Sequence, residues 1–270
     1  MTITSSESGA KSSRRETNFG FQRVAADDLR GLVGAVFDSV AGRYDLMNDL
    51  MSGGLHRLWK QALIDALDPR HGMRLLDVAG GTGDVAFRAI ERAETRSDQS
   101  DNRGGQSLVT TICDPSEAML DVARNRAIDK GLLKGIDFVC APAESLPFED
   151  RSADACTISF GLRNVTDRPA ALAEMRRVLE IGGHFLCLEF SPAVLPLLAP
   201  LYDAYSYKVL PWLGDKIAGD ADSYRYLAES IRRFPPPEAL SAELKAAGFG
   251  AIRHRIFSGG IVALHTAWRT

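Results

Sequence analysis

From Arg74 onward, short apolar runs alternate with segments of helical periodicity. The runs Arg74–Val78, Leu108–Asp114 and Ile136–Cys140 read as strands. Two further strands are expected within Phe148–Gly161 and Gly182–Ser191, the second entered through a Gly182-Gly183 turn. Between them the pattern predicts helices from Gly83 or Asp84 through Ala93, from Ser116, and over Arg168–Leu179. Regular alternation of this kind predicts a doubly wound α/β domain on a parallel sheet.

Two regions break the rhythm. Residues 28–70 have a helical pattern interrupted by turn formers and are expected to cap the domain. The strongest period there runs through Leu55, Leu58, Trp59, Ala62, Leu63 and Leu67, before Pro69 and Gly72. Residues 192–237 are rich in Tyr and Pro and predict a helical insertion. A last helix over Pro237–Ala247 and two apolar strands, Ala251–Phe257 and Ile261–Trp268, predict a hairpin adding an antiparallel edge. The polar stretch Glu94–Gln106 reads as a surface loop, and residues 1–18 as a disordered leader before a single domain over 19–270.

Composition narrows the function classes. With 45% hydrophobic and 25% charged residues and a net charge of -3, the chain suits a soluble globular fold rather than a nucleic-acid binder driven by phosphate contacts. The leader has no apolar h-region, and no window is long and apolar enough for a membrane span. A cytoplasmic location with at most peripheral membrane contact is expected. Cys113, Cys140, Cys156 and Cys187 have no paired spacing and read as buried thiols, and the histidines lack metal-ligand spacing, so no metal is expected.

The candidate chemistry begins at "LLDVAGGTGD". Gly80, Gly81 and Gly83 surround Thr82, while Asp77 and Asp84 bracket the loop at a strand-to-helix junction. Such a loop lets backbone approach a ligand closely. The spacing is not GxGxxG, which disfavours a dinucleotide and favours a smaller adenosyl ligand; a tight turn that binds nothing is the alternative. Asp114, ending the second strand, suits a ribose diol, or else simply caps the next helix. Pro142 and Ala143, after the third strand, offer a small apolar platform for an adenine ring.

Together "LLDVAGGTGD", "DPSEAML", "AESLPF" and "LEIGGHFLCLEF" resemble class I S-adenosylmethionine-dependent methyltransferases. More narrowly, "VFDSVAGRYDLMNDLMSGGLHRLWK", "ISFGLRNVTD" and "DADSYRYLAESIRRFP" resemble the ubiquinone/menaquinone biosynthesis C-methyltransferase family. The resemblance implies a Rossmann-like, mostly parallel seven-stranded sheet and S-adenosylmethionine as cofactor. It also implies methylation of a ring carbon of a polyprenylated benzoquinol or of demethylmenaquinol.

Carried over by motif, Thr82, Asp114, Pro142, Ala143 and Ser159 would contact the cofactor. Pro142 departs from an Asn common in the family, which leaves only backbone or packing contact there. Arg163 would stabilise a phenolate, with a surface ion pair to Asp167 as the alternative. Asn164 would orient a water or the second hydroxyl. Tyr44 would lie near the ring, or else pack in the lid. Tyr202, Tyr205, Tyr207, Leu210, Trp212 and Leu213 would line a prenyl groove or pack the insertion, and Arg232-Arg233 could meet anionic headgroups. A homo-oligomer or a quinone-biosynthesis complex is compatible with this reading. The competing classes are a nicotinamide oxidoreductase on the same sheet and a non-catalytic quinone or lipid carrier.

Overall fold

The computed structural model describes residues 16–25, 28, 31–36, 48–49, 52–97, 107–195 and 221–270. In chain order these form β1 (Glu16–Phe19), β2 (Gln22–Ala25), α1 (His56–Leu67), β3 (Arg74–Val78), α2 (Asp84–Ser97), β4 (Val109–Asp114) and α3 (Glu117–Asp129). There follow β5 (Ile136–Cys140), β6 (Ala153–Ser159), α4 (Arg168–Val178), β7 (Leu179–Phe190), α5 (Ala221–Arg233), α6 (Pro237–Ala246), β8 (Phe249–Phe257) and β9 (Val262–Arg269). Residues 31–36 are also helical.

The main sheet has the order β5-β4-β3-β6-β7-β9-β8. Its first five strands are mutually parallel, and β9 runs antiparallel to both β7 and β8. The expected antiparallel edge is therefore a β8–β9 hairpin whose second strand lies inside, against β7.

Both faces of the central strands β3, β6 and β7 are largely buried, which is why they carry consecutive apolar residues, whereas the edge strand β8 alternates. Leu75, Leu186 and Leu188 face a core shared with α1, α2 and α5. Their neighbours Leu76, Phe185 and Cys187 face the opposite core, built on α4 and α6. The period-2 pleat thus divides consecutive apolar residues between two layers of helices. Leu63, Leu172 and Leu188 are wholly buried, and truncating any of them to alanine is a change of about 2–5 kcal/mol.

Local chemistry fixes the helix ends. Ser116 caps α3 by accepting the Met119 N–H, and Asp167 caps α4 by accepting the Ala170 N–H. Asp68, at φ 52°, turns the chain out of α1 just before Pro69. Trp59 on α1 packs edge-on to Phe190 and donates its indole N–H to the Ser258 hydroxyl at 3.0 Å, tying the cap to the β7 and β9 side of the sheet.

Some boundaries differ from the sequence reading. The leader limit at residue 18 falls inside a β1–β2 hairpin, whose turn docks on α5: Phe21 N–H donates to Glu229, and Arg233 lies over the Phe21 ring. The pattern hides this hairpin because its partner is a helix two hundred residues away. The polar stretch from Glu94 contributes its first turn to α2, which continues to Ser97. Cys140 is exposed, whereas Cys113, Cys156 and Cys187 are buried as expected. The aromatic run from Tyr202 to Leu213 and Tyr44 lie outside the described residues. Among the described residues, no helix is long and apolar enough to cross a membrane.

Candidate active site

The strand order reverses between β3 and β6, and a crevice opens beyond their carboxyl ends, where ligands bind in open α/β sheets. Its walls turn on two non-glycine residues in the left-handed region, Ala79 at φ 50° after β3 and Phe160 at φ 57° after β6. Each such residue costs about 1–3 kcal/mol, which the surrounding packing must offset. The cavity is about 250 Å³, lined by Ala79, Gly81, Asp114, Met119, Ala143 and Phe160 among others.

Within the glycine loop the tasks divide. Gly81 lines the crevice and donates its N–H to Asp114 Oδ2 at 2.9 Å. Gly80 does not line it; a Cβ there would fall 2.8 Å from Ile112 and 3.0 Å from Asp77 Oδ2, so this glycine serves the packing beneath the loop. Thr82 is turned away and buried, its hydroxyl accepting from Arg126 Nη1 at 3.0 Å, because Gly83 N–H closes a tight turn on the Gly80 carbonyl. Asp77 also stays below the cavity, where Oδ1 accepts the Thr157 hydroxyl at 2.6 Å and burial pushes its pKa up to about 7. Thr82, Gly80 and Asp77 therefore support the loop from beneath rather than line the crevice, contrary to the sequence expectation.

Asp84 opens α2 and pairs at 2.8 Å with Lys60 of α1, whose side chain is only 6% exposed. Burial alone would raise the Asp84 pKa, yet Lys60 and Arg88 hold it at about 2. This ion pair, unforeseen from sequence, fixes the cap helix to the helix that follows the glycine loop.

Asp114 ends β4 at the crevice with its second oxygen accepting the Ser116 N–H at 2.9 Å. Since Ser116 is the α3 cap, the capping alternative for Asp114 falls away. Opposite, Cys140, Ala141, Pro142 and Ala143 form the third wall, small and mostly apolar as expected. Ser159 does not line the crevice: its hydroxyl is buried without a hydrogen-bond partner among the described residues, and the left-handed turn at Phe160 brings Phe160 and Gly161 to the wall instead.

Arg163 and Asn164 follow in a short 3-10 turn and part company. Arg163 is 3% exposed and pairs at 2.8 Å with Glu189 of β7, itself 1% exposed. Its Nη1 also donates to the Phe160 carbonyl, and its guanidinium lies over the Phe190 ring. Burial drives the Glu189 pKa up against the pull of Arg163. The alternative of a surface pair with Asp167 is thus replaced by a buried pair, Asp167 being occupied as the α4 cap. An acid inside the apolar run "FLCLEF" is the sequence signal that points to such a partner.

Asn164, with Val165 and Thr166, lines the crevice and also a second, polar cavity of about 220 Å³. That cavity is bounded by Arg163, Arg168, Tyr226, Ser230 and Arg233. The Tyr226 hydroxyl donates to Asn164 Oδ1 at 3.1 Å. Arg163 Nε is buried with no hydrogen-bond partner among the described residues. The structure therefore gathers Gly81, Asp114, Pro142, Ala143 and Asn164 around one crevice, and sets Arg163 behind the Asn164 wall.

Comparison with known proteins identifies the family and the fold. The profile described as the ubiE/COQ5 methyltransferase family matches residues 23–269. The ubiquinone/menaquinone biosynthesis C-methyltransferase UbiE of Methylobacterium nodulans is 54% identical over 255 residues, spanning 94% of this chain and 96% of that protein. Its namesake from Bradyrhizobium diazoefficiens is 53% identical over 256 residues, spanning 94% and 97%. Among solved structures, a SAM-dependent methyltransferase from Thermotoga maritima has a TM-score of 0.60 at 18% identity, over 88% of this chain and 100% of that one. A Haemonchus contortus phosphoethanolamine N-methyltransferase, in complex with S-adenosyl-L-methionine, has a TM-score of 0.56 at 15% identity, over 78% of this chain and 52% of that one. The structures share the fold and the relatives share the sequence nearly end to end: the chain belongs to the ubiE/COQ5 methyltransferase family.

Proposed function

We propose that this chain uses S-adenosylmethionine to methylate a ring carbon of a polyprenylated quinol, a methoxybenzoquinol or demethylmenaquinol, in ubiquinone or menaquinone biosynthesis. The observation that carries this reading is the pair of cavities with one shared wall. A mostly apolar crevice ends on a carboxylate, and a donor-rich cavity adjoins it at Asn164–Thr166. The named relatives are methyltransferases, and nothing in them favours the nicotinamide oxidoreductase or carrier alternatives.

The residues fit the cofactor. Asp114 offers a carboxylate, suited to a ribose diol, held in place by two backbone N–H groups. Ala141, Pro142 and Ala143 give a flat apolar wall for an adenine. When bound, S-adenosylmethionine supplies an electrophilic methyl on a sulfonium centre.

A quinol carbon becomes nucleophilic as a neighbouring hydroxyl loses its proton, so the protein must stabilise an oxyanion and hold the ring in line. Asn164 supplies side-chain amide groups at the shared wall. Arg163 supplies an Nε–H that has no partner among the described residues and a positive charge, moderated by Glu189. A permanently protonated guanidinium serves as stabiliser rather than base, with water taking the proton. Tyr44, outside the described residues, is the third residue assigned to the acceptor ring in this proposal. The acceptor's prenyl tail belongs in a bilayer, and we place the encounter at its surface.

The test is incubation of the purified protein with methyl-labelled S-adenosylmethionine and each reduced quinol, followed by mass analysis of the extracted lipid. One added ring methyl is expected. Absence of label from every quinol, with cofactor binding intact, would overturn the proposal.

A further inference from the structure

An asparagine amide can present either its oxygen or its two N–H donors to a ligand, and a flip exchanges them at little cost unless a neighbour decides. At the wall between the two cavities, the neighbour that holds the Asn164 amide is Tyr226. Its hydroxyl donates to Asn164 Oδ1 at 3.1 Å from an element distant in sequence. The donor is held firmly. Tyr226 is 5% exposed and its ring belongs to the core formed with Leu227, Ile231 and Phe190. The helix that carries it, α5, is clasped from outside by the β1–β2 turn through Glu229 and Arg233. The asparagine backbone is fixed too, its N–H donating to the Gly161 carbonyl at 3.0 Å. Burial pushes the Tyr226 phenol up to about 12, so it remains a donor through the physiological range.

We infer that Tyr226 is a positioning residue that anchors the Asn164 amide through its Oδ1, so that Asn164 presents its N–H donors to an oxygen of the methyl acceptor. The inference rests on the proposed placement of the acceptor beside Asn164. With Oδ1 committed to α5, what Asn164 offers is donation, the interaction a quinolate oxygen strengthens as charge develops on it. Without the phenol, the amide is free to turn its oxygen toward the acceptor, where two electronegative atoms would repel. Tyr226 thereby links the segment after residue 220 to the chemistry at the end of β6 without touching the acceptor itself.

The experiment is a double-mutant cycle with Tyr226→Phe, Asn164→Ala and the pair, read as kcat, KM for quinol and cofactor affinity by calorimetry, with thermal unfolding recorded for each. Tyr226→Phe keeps the ring and its packing. It is expected to lower kcat about tenfold while cofactor affinity stays within about twofold. In the Asn164→Ala background the same change should lower kcat no further. Losses that multiply in the double variant, or a Tyr226→Phe enzyme with full kcat, would overturn the inference while leaving the acceptor site standing. Full turnover by Asn164→Ala would instead remove the acceptor placement, and the inference with it.

Discussion

Gly161 stands against Ala79 across the crevice between β3 and β6, so closely that a Cβ on Gly161 would lie 2.5 Å from the Ala79 Cβ. No relaxed pair of carbons approaches to that distance, so the crevice width depends on one side chain being absent. Gly161→Ala should force the walls apart, at a cost of about 1–3 kcal/mol, and weaken cofactor binding at least tenfold. Adding Ala79→Gly should restore both, and also relieve the left-handed strain at position 79. Thermal unfolding and cofactor titration of the two variants check this, and failure of the second change to rescue the first would refute it.

Asp114 accepts one backbone N–H on each oxygen, from Gly81 and Ser116, and thereby joins the glycine loop to the start of α3. Asp114→Asn replaces one acceptor with a donor facing an N–H group. Cofactor affinity should fall at least tenfold while kcat at saturating cofactor changes by only a few-fold, because the lost contact is uniform to ground and transition states. Calorimetric titration with S-adenosylmethionine measures it, and an unchanged Kd would exclude Asp114 from the cofactor site.

Glu189 is the only counter-charge within ion-pair distance of the buried Arg163 guanidinium among the described residues. Glu189→Gln keeps the shape and leaves the cation uncompensated, a defect of about 3–5 kcal/mol for a buried pair. Urea denaturation should show the loss directly. An unaltered midpoint would mean that the pair contributes no net stability. The same reasoning predicts that Arg163→Ala loses stability as well as turnover, so its kinetics must be read beside its unfolding curve.

Asp77 carries a linkage prediction. Its pKa is about 7 in the folded chain against an ordinary 3.8, so between those values the folded state holds a proton that the unfolded state has released. Stability must therefore fall as pH rises through this window. Asp77→Asn removes the effect while keeping an oxygen for the Thr157 hydroxyl. Relative to wild type, the variant should gain about 2–3 kcal/mol between pH 5 and pH 8. Unfolding curves at the two pH values decide it; a gain independent of pH would contradict the assigned burial effect.

The sheet was legible because a parallel strand covered on both faces buries consecutive residues, as β3 does at Leu75–Val78, β4 at Ile112–Asp114 and β6 at Ala155–Ile158, and so carries short apolar runs. The crevice was half legible. Asp114, Pro142 and Ala143 could be placed because a strand end determines where they stand. Thr82 and Ser159 could not, since their directions depend on backbone turns at Gly81 and Phe160, both at positive φ, and residue type at 159 says nothing of the turn at 160. For Arg163 the sequence offers Asp167 only as an alternative partner and hides the one it has, Glu189. Asp167 is near in sequence and already serves as a cap, whereas Glu189 arrives through the parallel pairing of β6 with β7. The Lys60–Asp84 pair was invisible for the same reason, because only the packing of α1 on α2 brings its partners together.

The position of β9 also imposes an order on biosynthesis. β8 leaves the ribosome before β9, yet in the finished sheet its only strand partner among the described residues is β9, which lies between it and β7. Until β9 emerges, β7 presents a bare edge and β8 has nothing to pair with, while the crevice-forming strands β3, β4 and β6 are already available to one another. The nascent chain can therefore assemble its ligand-binding half first and must keep the edge of β7 open for the last strand, so the interval between β7 and β9 is when this protein is most exposed to pairing with the wrong partner.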